Sequence, residues 1–270
     1  MTASTTATGA GLGEHTPGPA LAGHAPAGHA PVAERPPGPA AVLEALGTVR
    51  DPELDEPITA LGFVASCALS AAGDAQVRLR LPTYFCAPNF AFLMVADAYD
   101  AVIALPVVRH AEIVLEDHFA SDAINGGVAA HAGFAQSFDG EAVGELHELR
   151  ADFLRKAVMA GTDQVCRPLI VAGTDPARLR GMVLGDVPGS RALERLRQRR
   201  AELGLPAGDD APLLIDPKTG TAISDDAVPL HLRKARTTRI SIESNGSICR
   251  GMLAHRYNSP GPGAEDEEDQ

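Results

Sequence analysis

The chain has 270 residues, is 45% hydrophobic and carries a formal net charge of -12. It is long enough for one large or two small cores. An acidic chain with 4% aromatics and no Trp lacks the basic surface and stacking platforms that nucleic-acid or acidic-membrane binding needs.

No apolar run is long enough to span a bilayer, and the N-terminus lacks the basic region and apolar core of a signal peptide. Cys67, Cys86, Cys166 and Cys249 are far apart and form no CxxC pair. They read as free thiols in a reducing cytoplasm rather than as a disulfide framework.

Residues 1–38 are Ala, Gly, Pro, Thr and His with hardly any large apolar side chain. Such a segment buries too little to offset its ordering entropy and is expected to be a disordered tail. His15, His24 and His29 lie in it, as incidental residues of a solubilising tail or as metal scavengers. At the other end, residues 259–270 carry Glu265 to Asp269 and read as an acidic, solvated tail.

Between the tails, Ala40 to Val49 has helical spacing and ends at Asp51-Pro52-Glu53, since the residue before proline avoids the α region. Phe63 to Leu69 and the alternating Gln76 to Leu81 read as a hairpin around Ala72-Gly73-Asp74. Pro88 to Leu105 is an apolar helix with proline in its first turn. Arg109 to Leu115 is a third strand. The order predicts a two-layer α/β (α+β) unit, helix-strand-strand-helix-strand, spanning 39–125.

Residues 117–139 read as an irregular linker. A C-terminal α+β region over 140–258 follows. In it, Glu141 to Ala160 is a helix ended by Gly161, and Ser190 caps a basic helix to Leu203. Leu213 to Ile215 and Thr221 to Ile223 flank a hairpin turn. Arg239 to Ile242 alternates as a strand, and Asn245-Gly246-Ser247 turns it into a short helix from Ile248.

Cys86 is the leading candidate for chemistry. It stands where the strand pattern stops and the helix beginning at Pro88 starts. A thiol there meets unpaired backbone N–H groups and the positive end of the helix dipole, which favour the metal-binding thiolate. The competing reading is a small buried hydrophobe. Thr83 is placed either to hydrogen-bond the sulfur or to cap the helix.

Cys249 and Cys166 read as lying at element ends, where they are either structural or converge with Cys86 as soft ligands. His118, with Asp117 and Asp122, belongs to a solvated loop or to a His/carboxylate iron site. Cys67 reads as core. Arg233, Lys234, Arg236 and Arg239 form a basic patch, a solvated face or a dock for an acidic client. There is no P-loop, G-x-G-x-x-G before a helix, HExxH or G-x-S-x-G, so nothing points to an ATPase or dehydrogenase; a thiol-dependent enzyme using Cys86 or Cys249 would need a His base that the sequence does not place.

Three motifs carry a family resemblance. Val49-Arg50-Asp51-Pro52-Glu53-Leu54 is similar to a DPE turn. Ile58-Thr59-Ala60-Leu61-Gly62-Phe63-Val64 is similar to an I-x-D-L-G-x-V strand entry, with Ala60 in place of Asp. Thr83-Tyr84-Phe85-Cys86 is similar to a T-x-x-C segment. Together they resemble the SufT/PaaD-like metal–sulfur cluster assembly factors over about Ala40 to Asn125.

The resemblance implies a non-enzymatic role in maturing iron–sulfur or iron metalloproteins, with iron or a cluster held transiently. Cys86 would be the working thiol, and Asp51 and Glu53 would support it. It also implies a client metalloenzyme as partner, with homodimerisation left open. The long C-terminal region resembles accessory proteins of binuclear-iron, propane-type monooxygenases. A structural adaptor or folding chaperone is the alternative.

Overall fold

The computed structural model describes residues 38–138 and 146–258. The two tails assigned from composition, and the Glu141 to Glu145 start of the expected fourth helix, therefore lie outside the described residues, apart from Gly38. The fold is mixed α+β. Helix α1 (Pro39–Leu46) precedes strands β1 (Val64–Leu69) and β2 (Asp74–Leu79). Helix α2 (Pro88–Ile103) crosses to strand β3 (His110–Leu115).

β1 and β2 pair antiparallel, as the hairpin reading expects, and β3 pairs parallel to the central β2. Alternation dictates the register. Ala75, Val77 and Leu79 of β2 and Ala111, Ile113 and Leu115 of β3 turn to one buried face. Val42, Leu46, Ile58, Phe63, Met94 and Val95 close that core from the helices and the intervening turn. Gly73 links the strands at φ +91°, and its carbonyl accepts the Arg109 N–H at 2.8 Å, which starts β3 in register.

The expected linker after β3 is largely helical. It forms α3 (Ser121–Ala129) and the single turn α4 (Phe134–Ser137). Ile124 and Val128, four residues apart, bury one face on the first core. The Asn125 side chain donates to the Leu115 carbonyl at 3.0 Å and accepts the Leu115 N–H at 2.9 Å, which secures α3 to the end of β3. Gly127 looks like a breaker but marks a close approach, because a Cβ there would meet the Ser137 side chain.

Among the described residues four more α-helices follow: α5 (His147–Val171), α6 (Pro176–Leu179), α7 (Arg191–Glu202) and α8 (Val228–Asn258). α7 is capped as expected, with the Ser190 hydroxyl accepting the Leu193 N–H at 3.2 Å. α5 runs through Gly161 rather than stopping there. The glycine faces Leu196 of α7, whose Cδ1 would lie 3.4 Å from a Cβ, so packing overrides its poor helix propensity. Val158, Val165, Cys166, Leu193, Leu196 and Leu213 anchor a second apolar cluster.

The expected hairpin near residue 218 survives as a turn with one bridge, Ile215 to Ala222. Asp216 accepts the Lys218 N–H at 2.7 Å, and Gly220 takes φ +74°.

The expected strand at Arg239 to Ile242 and the break at Asn245 to Ser247 are both interior to α8. Tertiary partners decide this. Arg239 donates to Asp163 of α5 at 2.6 Å and also pairs with Glu243 one turn on. Gly246 leaves room for the Glu56 carboxylate, which a Cβ would meet at 3.0 Å. Ser247 donates to the Glu243 carbonyl at 3.0 Å, so its hydroxyl is satisfied within the helix.

The second half of α8 packs on the first core. Leu253 is buried there, with Cδ2 3.2 Å from where a Gly62 Cβ would stand. Arg250 pairs with Glu56 at 2.8 Å. Arg256 donates to the carbonyls of Leu81 and Asp117 at 3.1 and 2.7 Å. Tyr257 lies between the Arg80 and Arg256 guanidiniums, 4.6 and 5.1 Å from its ring centre. Among the described residues, no helix is long and apolar enough to cross a membrane.

Candidate functional site around Cys86

Cys86 lies on the Arg80 to Ala87 connection between β2 and α2, two residues before Pro88 opens the helix. The proline costs no hydrogen bond in that first turn. Ala87 at the N-cap makes no side-chain cap bond, so Thr83 does not cap the helix. Its hydroxyl lies 3.3 Å from Cys86 Sγ and accepts the Phe85 N–H at 3.3 Å. Either the hydroxyl or the thiol can carry the proton between them.

His118 is neither a solvated loop residue nor an open iron ligand. It is 3% exposed, and both ring nitrogens are engaged. Nε2 donates to the Cys86 carbonyl at 2.7 Å, and Nδ1 accepts the Ala120 N–H at 3.2 Å. Those partners select the Nε2–H neutral tautomer. Burial lowers the histidine's pKa, the Cys86 carbonyl opposes this, and Arg256 adds to the lowering. The role read from this geometry is to hold the Cys86 backbone.

Asp51 and Glu53 come from the turn after α1. Asp51 Oδ1 accepts the N–H groups of Glu53 and Leu54 at 2.9 and 2.8 Å, which shapes the turn. Burial nonetheless pushes its carboxyl up to about 6. Glu53 accepts from Asn245 of α8 at 3.3 Å. One helical turn on, on the same face as Asn245 and Leu253, stands Cys249.

Cys249 is close enough to Asp51, Cys86 and Glu53 for their charges to act on its thiol. It does not begin a helix, so no dipole lowers its pKa. Burial first, then the charges of Asp51, Cys86 and Glu53, push it up to about 11. Cys166 is interior to α5 rather than at an element end. It is 1% exposed within α5, in the second cluster, and burial with the nearby Asp163 pushes its thiol up to about 12. Cys67 is half-buried on β1 with Sγ 3.8 Å from the Pro39 carbonyl.

The fold thus draws Cys249 toward Cys86 and puts Cys166 in a different core. Among the described residues, no group of three or more His, Cys, Asp or Glu side chains is disposed to hold a metal ion. The two thiols are soft donors suited to iron–sulfur chemistry, but clusters ordinarily take four such ligands.

One feature escaped the sequence reading. Tyr84, Phe85 and Phe119 are 47%, 77% and 49% exposed and pack edge-on or tilted against one another, with ring centres 5.0 to 6.3 Å apart. Tyr84 and Phe85 directly precede Cys86, and Phe119 follows His118, whose Nε2 donates to the Cys86 carbonyl. In a chain with so few aromatics, Tyr84-Phe85 beside the cysteine was the available signal. Phe119 joins them only through the fold.

No curated protein and no solved structure matches the chain. Residues 39–113, which carry Asp51, Glu53, Thr83 and Cys86 but not His118 or Cys249, match the family described as iron-sulfur cluster assembly protein, which supports an iron-sulfur assembly role for that part of the chain.

Proposed function

We propose that this protein is a non-catalytic assembly factor of the SufT/PaaD-like kind. It passes iron or an iron–sulfur cluster, as cargo, to a client metalloenzyme in the cytoplasm. The observation that carries the reading is Cys86, inside the family-matched segment. Its sulfur is 3.3 Å from the Thr83 hydroxyl and its carbonyl is fixed by His118.

Cys86 is the contact thiol in this reading. Cys249 is the second donor, supplied by α8, and Asp51 and Glu53 set the charge around them. Two thiols leave cluster positions for a client or a second copy to fill, which suits transfer better than storage. The C-terminal helical region and the resemblance to monooxygenase accessory proteins make a binuclear-iron hydroxylase the client we favour.

Anaerobic reconstitution with iron and sulfide, read by absorbance and metal analysis, tests this. Stoichiometric loading by the wild type that is lost in Cys86→Ser is expected. Equal loading of both proteins, or of neither, overturns it.

A second reading, a client adaptor without cargo, rests on the exposed aromatic cluster. Phe85 is 77% exposed, and such a patch suits a protein contact. In that reading Phe85→Ala abolishes client maturation while Cys86→Ser leaves it intact.

A further inference from the structure

α8 is 31 residues long. One side of it is buried, through His231, Ala235, Gly246 and Leu253. At about 100° of turn per residue, Thr237, Ile240, Ser244, Ile248 and Gly251 line up on the opposite side, and all five are exposed. Ile240 and Ile248 are 45% and 58% exposed, and Met252 beside them is 43% exposed. The charges within this span lie off the stripe and are paired, Glu243 with Arg239 and Arg250 with Glu56. An uncharged stripe with large apolar residues along a surface helix marks a contact surface. Thr237, Ser244 and Gly251, at seven-residue spacing, are small enough to let a second helix approach closely.

N-terminal to the stripe the helix is basic. Lys218, Arg233 and Lys234 line a groove of about 600 Å³ between the start of α8 and the turn at Asp216, and Leu230 forms part of its apolar wall. Arg236 follows on the same helix. These four side chains are exposed, and none of them makes a hydrogen bond or ion pair among the described residues. The one carboxylate in the lining, Asp216, already accepts the N–H groups of Lys218 and Thr219. The groove is therefore an uncompensated cationic site in a chain of net charge -12.

Its complement is in the same chain. Glu265 to Asp269 are consecutive acids, and α8 ends at Asn258. The acids lie outside the described residues, but their charge and their distance from Asn258 along the chain are fixed by the sequence. Within one copy, Lys234 is about 36 Å from Asn258 along the helix. Glu265, seven residues past Asn258, reaches about 23 Å when fully extended. Most of the acidic run thus falls short of its own groove.

Antiparallel pairing of two α8 helices removes that gap. About a two-fold axis at Ser244, Ile240 meets Ile248 of the partner subunit, and Thr237 meets the partner's Gly251. Leu230, in the groove wall, meets the partner's Asn258, so the partner's acidic run leaves its helix beside the groove. We propose that two copies of this chain pair antiparallel through this face of α8, and that Glu265 to Asp269 of each copy dock on the Lys218, Arg233 and Lys234 groove of the other. Such a pairing is isologous and closes as a dimer. The acid-to-base contacts offset the repulsion between two acidic chains. Cys249 and Leu253 pack against the first core, so the pairing does not use the Cys86 site and is independent of the cargo reading.

The test is sedimentation velocity on the full chain across micromolar concentrations, in reductant, at low and high salt. A concentration-dependent dimer, weakened by salt, is expected. Ile248→Glu sets a carboxylate into the stripe and is expected to leave a monomer. Arg233→Glu combined with Lys234→Glu is expected to weaken the dimer about ten-fold or more and to remove its salt dependence. All three positions are exposed, and urea unfolding verifies that the variants are folded.

Oxidation without reductant reads the geometry. Ser244→Cys, on the axis, is expected to give a disulfide between copies, identified in the linked peptide by mass spectrometry. Thr237→Cys, about 21 Å from its mate in the antiparallel pair, is expected to give none. A monomer at every concentration, a dimer undisturbed by Ile248→Glu or by the charge reversal, or linkage at Thr237→Cys instead of Ser244→Cys each overturns the proposal.

Discussion

Asp51→Asn is the sharpest single perturbation of the site's electrostatics. The Asp51 carboxyl is 8% exposed and accepts two backbone N–H groups, which favour its charged form. Burial opposes them and prevails, with Glu53 and Glu56 adding to the rise from 3.8 to about 6. At 1.36 kcal/mol per pH unit, the folded chain holds that proton about 3 kcal/mol more tightly than the unfolded chain.

The folded pKa lies above the unfolded one. The resulting stabilisation is therefore fully present below about pH 4 and lost as pH rises through about 6. Asparagine keeps an acceptor oxygen for the Glu53 and Leu54 N–H groups but cannot ionise. Urea unfolding of both proteins from pH 4 to pH 7 is expected to show Asp51→Asn gaining about 3 kcal/mol relative to wild type across that range. Removing the charge also lowers the Cys249 pKa, so its alkylation at pH 8 becomes faster. A flat difference, or wild type gaining as Asp51 ionises, would refute the dominance of burial over the two N–H bonds.

Other expectations concern thiol access and packing. Native-state alkylation of Cys166, 1% exposed and pushed up to about 12, waits for unfolding; prompt modification by mass spectrometry would contradict its place in the second core. Leu253→Ala removes a side chain 7% exposed that joins α8 to the first core, and should cost about 2–4 kcal/mol in urea unfolding. A loss below about 1 kcal/mol would mean that α8 does not help to build that core. Gly73→Ala puts a Cβ 2.8 Å from the Val107 carbonyl at φ +91°, and should lower stability by about 2 kcal/mol or more, read as a fall in Tm.

Local patterns were enough for the elements from α1 to β3. Alternation in β2 and β3, proline at the start of α2 and the turn at Gly73 are short-range steric and solvation effects, and they place Cys86 ahead of α2 with no tertiary input. The Ser190 cap is local in the same sense. The rest was misread where a local signal opposed long-range packing. Four alternating residues at Arg239 to Ile242 suggest a strand, yet the Asp163 carboxylate on α5 claims Arg239 and α8 runs on. Gly127, Gly161 and Gly246 resemble breaks, and each admits a neighbouring side chain instead.

The thiols divide along the same line. The type and spacing of residues around Cys86 are written in the chain itself. The nearness of Cys249, the burial of Cys166 and the joining of Phe119 to Tyr84 and Phe85 link residues tens to hundreds of positions apart. Only the docking of α8 and the return of β3 beside β2 bring such residues together, because close packing selects among the distant pairings that local sequence leaves open.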